Sequence, residues 1–154
     1  MPIGEVCNRE VVTCAPATSA LEAAKSMRAK HVGALVVVEE KEGKPFPIGV
    51  VTDRDLVVTV MAMGLDPRDF TVADIMRAEV ITATESTGLL EAIELMRAKG
   101  IRRLPVVNDE GVLSGIVAVD DIIGLLAEEL QDLSKVIAHE QAHEREVRRY
   151  TPQS

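Results

Sequence analysis

A chain of 154 residues, 47% apolar and 27% charged, has the size and composition of about one soluble globular domain. Its net charge of −8 and pI near 4.9 exclude the broad basic face needed for electrostatic binding to nucleic acid or anionic membrane. Its longest apolar runs, such as Leu56 to Met63, fall far short of the roughly 20 residues that span a bilayer.

With no Trp, one Tyr and two Phe, the core must be aliphatic, and stacking platforms for single-stranded nucleic acid are not available. The N-terminus has no basic stretch followed by an apolar one, so no secretory signal is read there and a cytoplasmic location is expected. Cys7 and Cys14 form no metal-type CxxC pair, and a reducing compartment argues against a disulfide. Cys14 reads as a small strand residue.

In chain order, Val11 to Cys14 reads as a short extended piece and Ser19 to Lys30 as a helix. Ser19-Ala20-Leu21-Glu22 has the spacing of a capping box, and Leu21, Ala24 and Met27 recur at helical steps. Ala34 to Glu39 is a β-branched run, hence a strand. Glu39 to Pro47 reads as a turn-rich loop, Ile48 to Thr52 as a second strand, and Asp53 to Met63 as a helix. Gly64 to Val72 is a link, with Gly64 a helix stop and Asp66-Pro67 a turn. Then Val80 to Ala83 is extended, Leu89 to Lys99 helical, Leu104 to Val107 a strand, Asn108 to Gly111 a turn, Leu113 to Ala118 a strand, and Asp120 onward a helix. In that last helix Leu126, Leu130, Leu133 and Ile137 recur at steps of four, three and four, one apolar stripe. Beyond it Ala138 to Glu146 is polar and mixed in charge, and Thr151 to Ser154 are expected to fray.

This is a repeat. Val11 to Val38 aligns with Val80 to Val107 at an offset of 69, with thirteen of 28 positions identical. The offset then falls to 66, so that Gly49 meets Gly115 and Asp55 meets Asp121; the shift locates a surface loop around Glu39 to Pro47. Neither copy can bury both faces of so small a sheet, whereas two packed face to face can. The expected architecture is α/β (α+β type): two β-α-β-β-α repeats, residues 3–65 and 66–130, packed as a pseudo-twofold pair, with a helical extension over 131–154.

Each copy ends in a glycine, a short apolar strand and a carboxylate at a helix start: Gly49 to Asp55, and Gly115 to Asp121. Thr52-Asp53-Arg54-Asp55 fits a capping box, and Asp suits a first helical turn on dipole grounds alone. A carboxylate there is also suited to a ribose diol, and the helix start to a phosphate. The recurrence of the junction favours a ligand role alongside the local one.

Four features together resemble a pair of CBS domains: the tandem copies, Gly49 to Asp55, Ile101-Arg102-Arg103-Leu104-Pro105-Val106-Val107, and Val72-Ala73-Asp74-Ile75-Met76 ahead of the second copy. The resemblance covers roughly residues 3 to 130. It implies a module with two clefts for adenosine-containing ligands such as AMP, ADP, ATP, NAD or S-adenosylmethionine, commonly dimerised. In the first cleft it implies Asp55 on the ribose, Thr52 near ribose or phosphate, Val50 in the lining, Val80 and Ile81 on the adenine, and Arg103 on phosphate. In the second it implies Asp121 on the ribose with Ile116, Ala118 and Asp120 beside it, faced by Ala15, Ala20, Val32 and Gly33, with Arg102 turned to this side because neighbours in extended chain point opposite ways. Ala118 replaces a usual Thr or Ser, and Asp120 adds a charge that repels phosphate, so the Asp55 cleft is expected to take the phosphate-bearing nucleotide. A solvated surface or a dimer salt bridge is the other reading of the arginine pair.

His139-Glu140-Gln141-Ala142-His143 matches H-E-x-x-H, the zinc-protease helix motif. It lies near the end of the chain, with little sequence left for the third ligand that catalytic zinc needs. No nucleophile elbow, phosphate-binding loop or dinucleotide fingerprint occurs. The expected function is therefore a non-enzymatic regulatory module that senses an adenine nucleotide, forms a homodimer and acts on a regulated protein. The competing reading is a ligand-independent interaction module.

Overall fold

The β-branched runs form strands, and the same three-strand plan is used twice. The computed structural model describes residues 1–77 and 79–149; Thr151 to Ser154 lie outside the described residues. In the first sheet β1 (Thr13–Cys14) runs parallel to β2 (Ala34–Lys41), which pairs antiparallel with β3 (Lys44–Thr52). Helix α1 (Ala20–Lys30) crosses between β1 and β2, opened by Ser19, whose hydroxyl accepts from Glu22 N–H at 3.1 Å. The second sheet repeats the order with β4 (Ala83–Thr84), β5 (Arg103–Val107) and β6 (Leu113–Ala118), and α4 (Leu89–Lys99) as the crossover.

Two expected elements differ. The Glu39 to Pro47 loop is instead a hairpin: β2 runs on to Lys41, and Glu42 and Gly43 at φ 54° and 76° make the two-residue turn whose twist suits a hairpin. Pro45 and Pro47 are tolerated because β3 is an edge strand. The helix expected over Asp53 to Met63 begins as α2 (Asp53–Asp55) and widens to a π-helix over Leu56–Met61, with Ala62 N–H donating to Val57 C=O at 2.8 Å. Val57-Val58-Thr59-Val60 is β-branched throughout, and such side chains crowd the preceding turn of a regular helix.

The two repeats exchange their leading segments. A 3-10 turn (Ile3–Glu5) and the short helix α3 (Val72–Ile75) occupy equivalent places, each against the other repeat. Ile3 N–H donates to Thr87 C=O at 2.8 Å and Val72 N–H to Thr18 C=O at 2.7 Å; Gly4 donates to Glu85 at 2.9 Å and Ala73 to Pro16 at 3.0 Å. The partners in each pair are related by the same offset of 69 that relates the sequences. Val72 and Ile75 are thereby buried in a core with Leu35, Val37, Val51, Ala23 and Met27, all contributed by the first repeat. A bidentate contact, Asn8 with Ile116 at 2.9 Å in both directions, adds the first lead-in to the edge of β6. Gly49 and Gly115 allow the close approach: a Cβ would stand 2.6 Å from Met76 Sδ at the one and 2.5 Å from Cys7 Sγ at the other.

Residues Met1–Val117 make one compact unit and a second begins at Ala118. The second is dominated by α5 (Val119–Arg149), whose first turn carries Asp120 and Asp121. No helix among the described residues is long and apolar enough to cross a membrane.

Candidate functional site

The junction from β3 into α2 is held by a reciprocal cap. Thr52 Oγ1 accepts from Asp55 N–H at 3.1 Å, and Asp55 Oδ2 accepts from Thr52 N–H at 2.9 Å. This satisfies two helix-start donors and fixes both side chains. It leaves the Thr52 hydroxyl its proton to donate and Asp55 its Oδ1 to accept. The local and the ligand readings of this motif are thus compatible in one geometry.

Around the junction lies a cavity of about 850 Å³, lined by all six residues expected in the first cleft: Val50, Thr52, Asp55, Val80, Ile81 and Arg103. That volume falls in the range of pockets for small organic ligands. Val80 and Ile81 offer an apolar wall and backbone polar groups. In the first repeat the equivalent carbonyl, Val12 C=O, accepts from Val36 N–H at 3.1 Å. In the second repeat that donor's place is taken by Pro105, which has no N–H. The Ile81 carbonyl therefore has no such strand partner, and it suits an exocyclic amine on a flat ring.

Electrostatically the cavity contrasts with the rest of the chain. Arg54, Arg77, Lys99, Arg102 and Arg103 line it against Asp53, Asp55 and Glu79, an excess of cations in a protein of net charge −8. Sequence reading missed Arg54, Arg77 and Lys99. Arg77 follows the exchanged segment α3, and Lys99 ends α4. Arg54 stood inside the quoted motif and could have been found there.

Arg102 also lines this cavity. Expected in the second cleft, it stands beside Arg103 in this lining. Alternation between faces requires extended chain, and β5 begins only at Arg103, with Arg102 in a bend before it. Gly33, also expected in the second cleft, lies against two residues of this cavity: a Cβ there would be 2.8 Å from Arg103 Nη2 and 3.1 Å from Asp53 Oδ2. Asp53 N–H donates to Gly33 C=O at 2.9 Å.

The remaining residues of the second set each have a local setting. Ala15 is exposed beyond β1, its N–H donating to Thr18 Oγ1 at 3.2 Å. Ala20 opens α1 and is fully buried in the first core. Val32 is half-buried against that core, and Ile116 holds the Asn8 bridge. Ala118 ends β6, and Asp120 and Asp121 are exposed in the first turn of α5.

His139 and His143 are exposed on α5, and no cluster of three or more metal-ligating side chains forms among the described residues. Cys7 and Cys14 are free thiols, and burial pushes the Cys14 thiol up to about 11.

Two β-α-β-β-α repeats with exchanged lead-ins, holding a capped Thr–Asp junction in a basic cavity, define a tandem-repeat module with a cavity of small-ligand size. The chain belongs to the CBS-domain family: the profile of the CBS domain matches residues 3–62 and again residues 72–128. It is 46% identical over 121 residues to the uncharacterized protein MK0525 of Methanopyrus kandleri, covering 79% of this chain and 60% of that protein. It is 35% identical over 130 residues to the mitochondrial CBS domain-containing protein CBSX3 of Arabidopsis thaliana, covering 80% and 62%. The chain thus spans about 60% of the length of these two relatives. Among solved structures, the CBS domain protein PAE2072 from Pyrobaculum aerophilum, complexed with AMP, matches with a TM-score of 0.71 at 28% identity, over 79% of this chain and 89% of that one.

Proposed function

We propose that this chain is a regulatory module that binds an adenine nucleotide in the Thr52–Asp55 cavity and passes the ligand's presence to a partner, as a homodimer or through another protein. The observation that carries the reading is the composition of that one cavity: a capped carboxylate with one oxygen to spare, an apolar wall with a carbonyl whose strand donor is replaced by Pro105, and five cations. Asp55 Oδ1 suits a ribose diol, Val80 and Ile81 suit the adenine, and Arg103 with its neighbours suits phosphate through forked donors. The AMP complex of PAE2072 supports the same ligand class. The mechanism is linkage. A ligand contacting both repeats favours the arrangement it bridges, by no more than its difference in affinity between arrangements.

The test is thermal unfolding with AMP, ADP, ATP, NAD and S-adenosylmethionine, beside Asp55→Ala and Asp55→Asn. A ligand that binds only the folded chain raises the midpoint with concentration. Asn keeps an oxygen for the Thr52 cap but loses the charge, so it should retain most of the unliganded stability while weakening binding about tenfold. Ala should lose both, the cap being worth about 1 kcal/mol. No shift with any of the five at millimolar concentration, on nucleotide-free protein, sinks the reading and favours the ligand-independent interaction module.

A further inference from the structure

Asp53 and Arg103 share one gap in the cavity, and Gly33 leaves that gap open. The place a Cβ would take on Gly33 is 2.8 Å from Arg103 Nη2 and 3.1 Å from Asp53 Oδ2. The acidic residue is fixed on its other sides. Asp53 N–H donates to the Gly33 carbonyl at 2.9 Å, and Asp53 Oδ1 accepts from Arg54 N–H at 2.8 Å. Oδ2 is left beside the guanidinium, and no ion pair among the described residues engages either charge.

The fold does not ask for this pair. The helix start is already satisfied by the reciprocal Thr52–Asp55 cap. At the corresponding places the other repeat has Val119 for Asp53 and Ala34 for Arg103. Both charges belong to the lining of this cavity.

We propose that Asp53 is a specificity-determining residue of the nucleotide site, a fixed carboxylate that balances Arg103 in the empty cavity and opposes the arrival of phosphate. This rests on the nucleotide reading above and adds a determinant to it. A carboxylate and a phosphate offer oxygens to the same forked donors, so they compete for one guanidinium. Two anions drawn into one gap also repel. Asp53 therefore weakens a ligand according to the charge that ligand brings to Arg103, and it does not act on an uncharged nucleoside. Without it, five cations would face only Asp55 and Glu79. The counterweight keeps a basic cavity from holding phosphate-bearing ligands so tightly that its occupancy stops following their concentration.

The experiment is calorimetric titration of the nucleotide-free full chain with AMP and with adenosine. The proteins are wild type, Asp53→Asn, Arg103→Gln and the double variant. Asn keeps an oxygen for Arg54 N–H and removes only the charge. Asp53→Val, which brings in the residue type of the other repeat, is the second variant should Asn disturb the junction. Each change at Asp53 should tighten AMP about two- to fivefold more than adenosine, the range of a solvent-exposed charge pair. In the Arg103→Gln background that gain should disappear, because nothing then draws the phosphate into the gap. No gain for AMP, equal gains for AMP and adenosine, or a gain that survives Arg103→Gln would each overturn the role of Asp53 and leave the nucleotide reading standing. Failure of AMP to bind any of these proteins would overturn both.

Discussion

The Gly33 Cα lies so close beneath the Arg103 guanidinium that a Cβ there would stand 2.8 Å from Nη2. A side chain at position 33 therefore decides where the arginine can rest. Gly33→Ala should push a flexible arm aside rather than break packing, with a midpoint change of about 2 °C or less. It should weaken the most phosphate-rich ligand that binds by about three- to tenfold and leave adenosine unchanged, measured by calorimetric titration. Equal losses for adenosine and nucleotide would place the effect on the whole cavity instead of on Arg103.

Gly115 and Gly49 are equivalent in sequence but not in the room they leave. A Cβ at Gly115 would meet Cys7 Sγ at 2.5 Å and the Asn8 carbonyl at 3.0 Å, whereas at Gly49 the nearest backbone atom, the Arg77 carbonyl, is 3.6 Å away and the main conflict is with the thioether end of Met76. Backbone yields less than a methionine tip. Gly115→Ala should cost about 2–3 kcal/mol and Gly49→Ala about half that, in the usual range for overpacking. Urea unfolding of the two variants gives the ranking.

His31 closes α1 in the left-handed conformation at φ 57°, where Gly100 closes α4 at φ 64°. A Cβ is unfavourable in that conformation, and His31 is exposed with no side-chain hydrogen bond among the described residues. His31→Gly should stabilise the chain by about 0.5–1 kcal/mol, the strain relieved exceeding the entropy that glycine adds to the unfolded state. A lower midpoint would mean that His31 makes a contribution that this geometry does not contain.

Burial pushes the Cys14 thiol up to about 11, while an unfolded thiol ionises near about 8.5. The folded chain holds this proton more tightly, so the contribution is complete below about pH 8.5 and is lost as pH rises through about 11. Cys14→Ala should remove that part of the alkaline fall. The difference in midpoint between wild type and variant should shrink steadily from pH 8.5 to 11 and be flat from pH 6 to 8. At neutral pH, Cys14 should alkylate more slowly than a free thiol.

The repeat, its strands and the Thr52–Asp55 cap were legible because each is written locally, in β-branched runs and in an i to i+3 pairing of hydroxyl and carboxylate. The six lining residues expected for the first cleft came from the family resemblance. The place of Arg102 in the cavity lining was not read, because it stands in a bend before β5, where the alternation of extended chain does not apply. The π-helix was hidden because Leu56 to Met63 is apolar enough to read as any helix, and only the crowding of Val57-Val58-Thr59-Val60 distinguishes it. The exchange of lead-ins was not read at all, since identity between the copies is strong only from Val11 on. Its signal was one of class: Ile3-Gly4-Glu5-Val6 and Val72-Ala73-Asp74-Ile75 match as apolar, small, acidic, apolar.

That exchange governs how the chain can be made. The first core is unfinished until Val72 and Ile75 arrive, and the fully buried Ile3, from the opposite end of the same unit, bonds to Thr87 of the second repeat. A nascent chain halted after Met63 has its strands and α1 but lacks the segment that closes their core. Contacts such as Arg9 to Glu85, 76 residues apart, make folding wait for long loops to close. The first repeat should therefore leave the ribosome as a sticky, protease-sensitive intermediate and acquire resistance only when the second has followed it. Expressed alone, either half should aggregate or capture the lead-in of another molecule, and mixing the two halves should recover soluble protein that neither yields by itself.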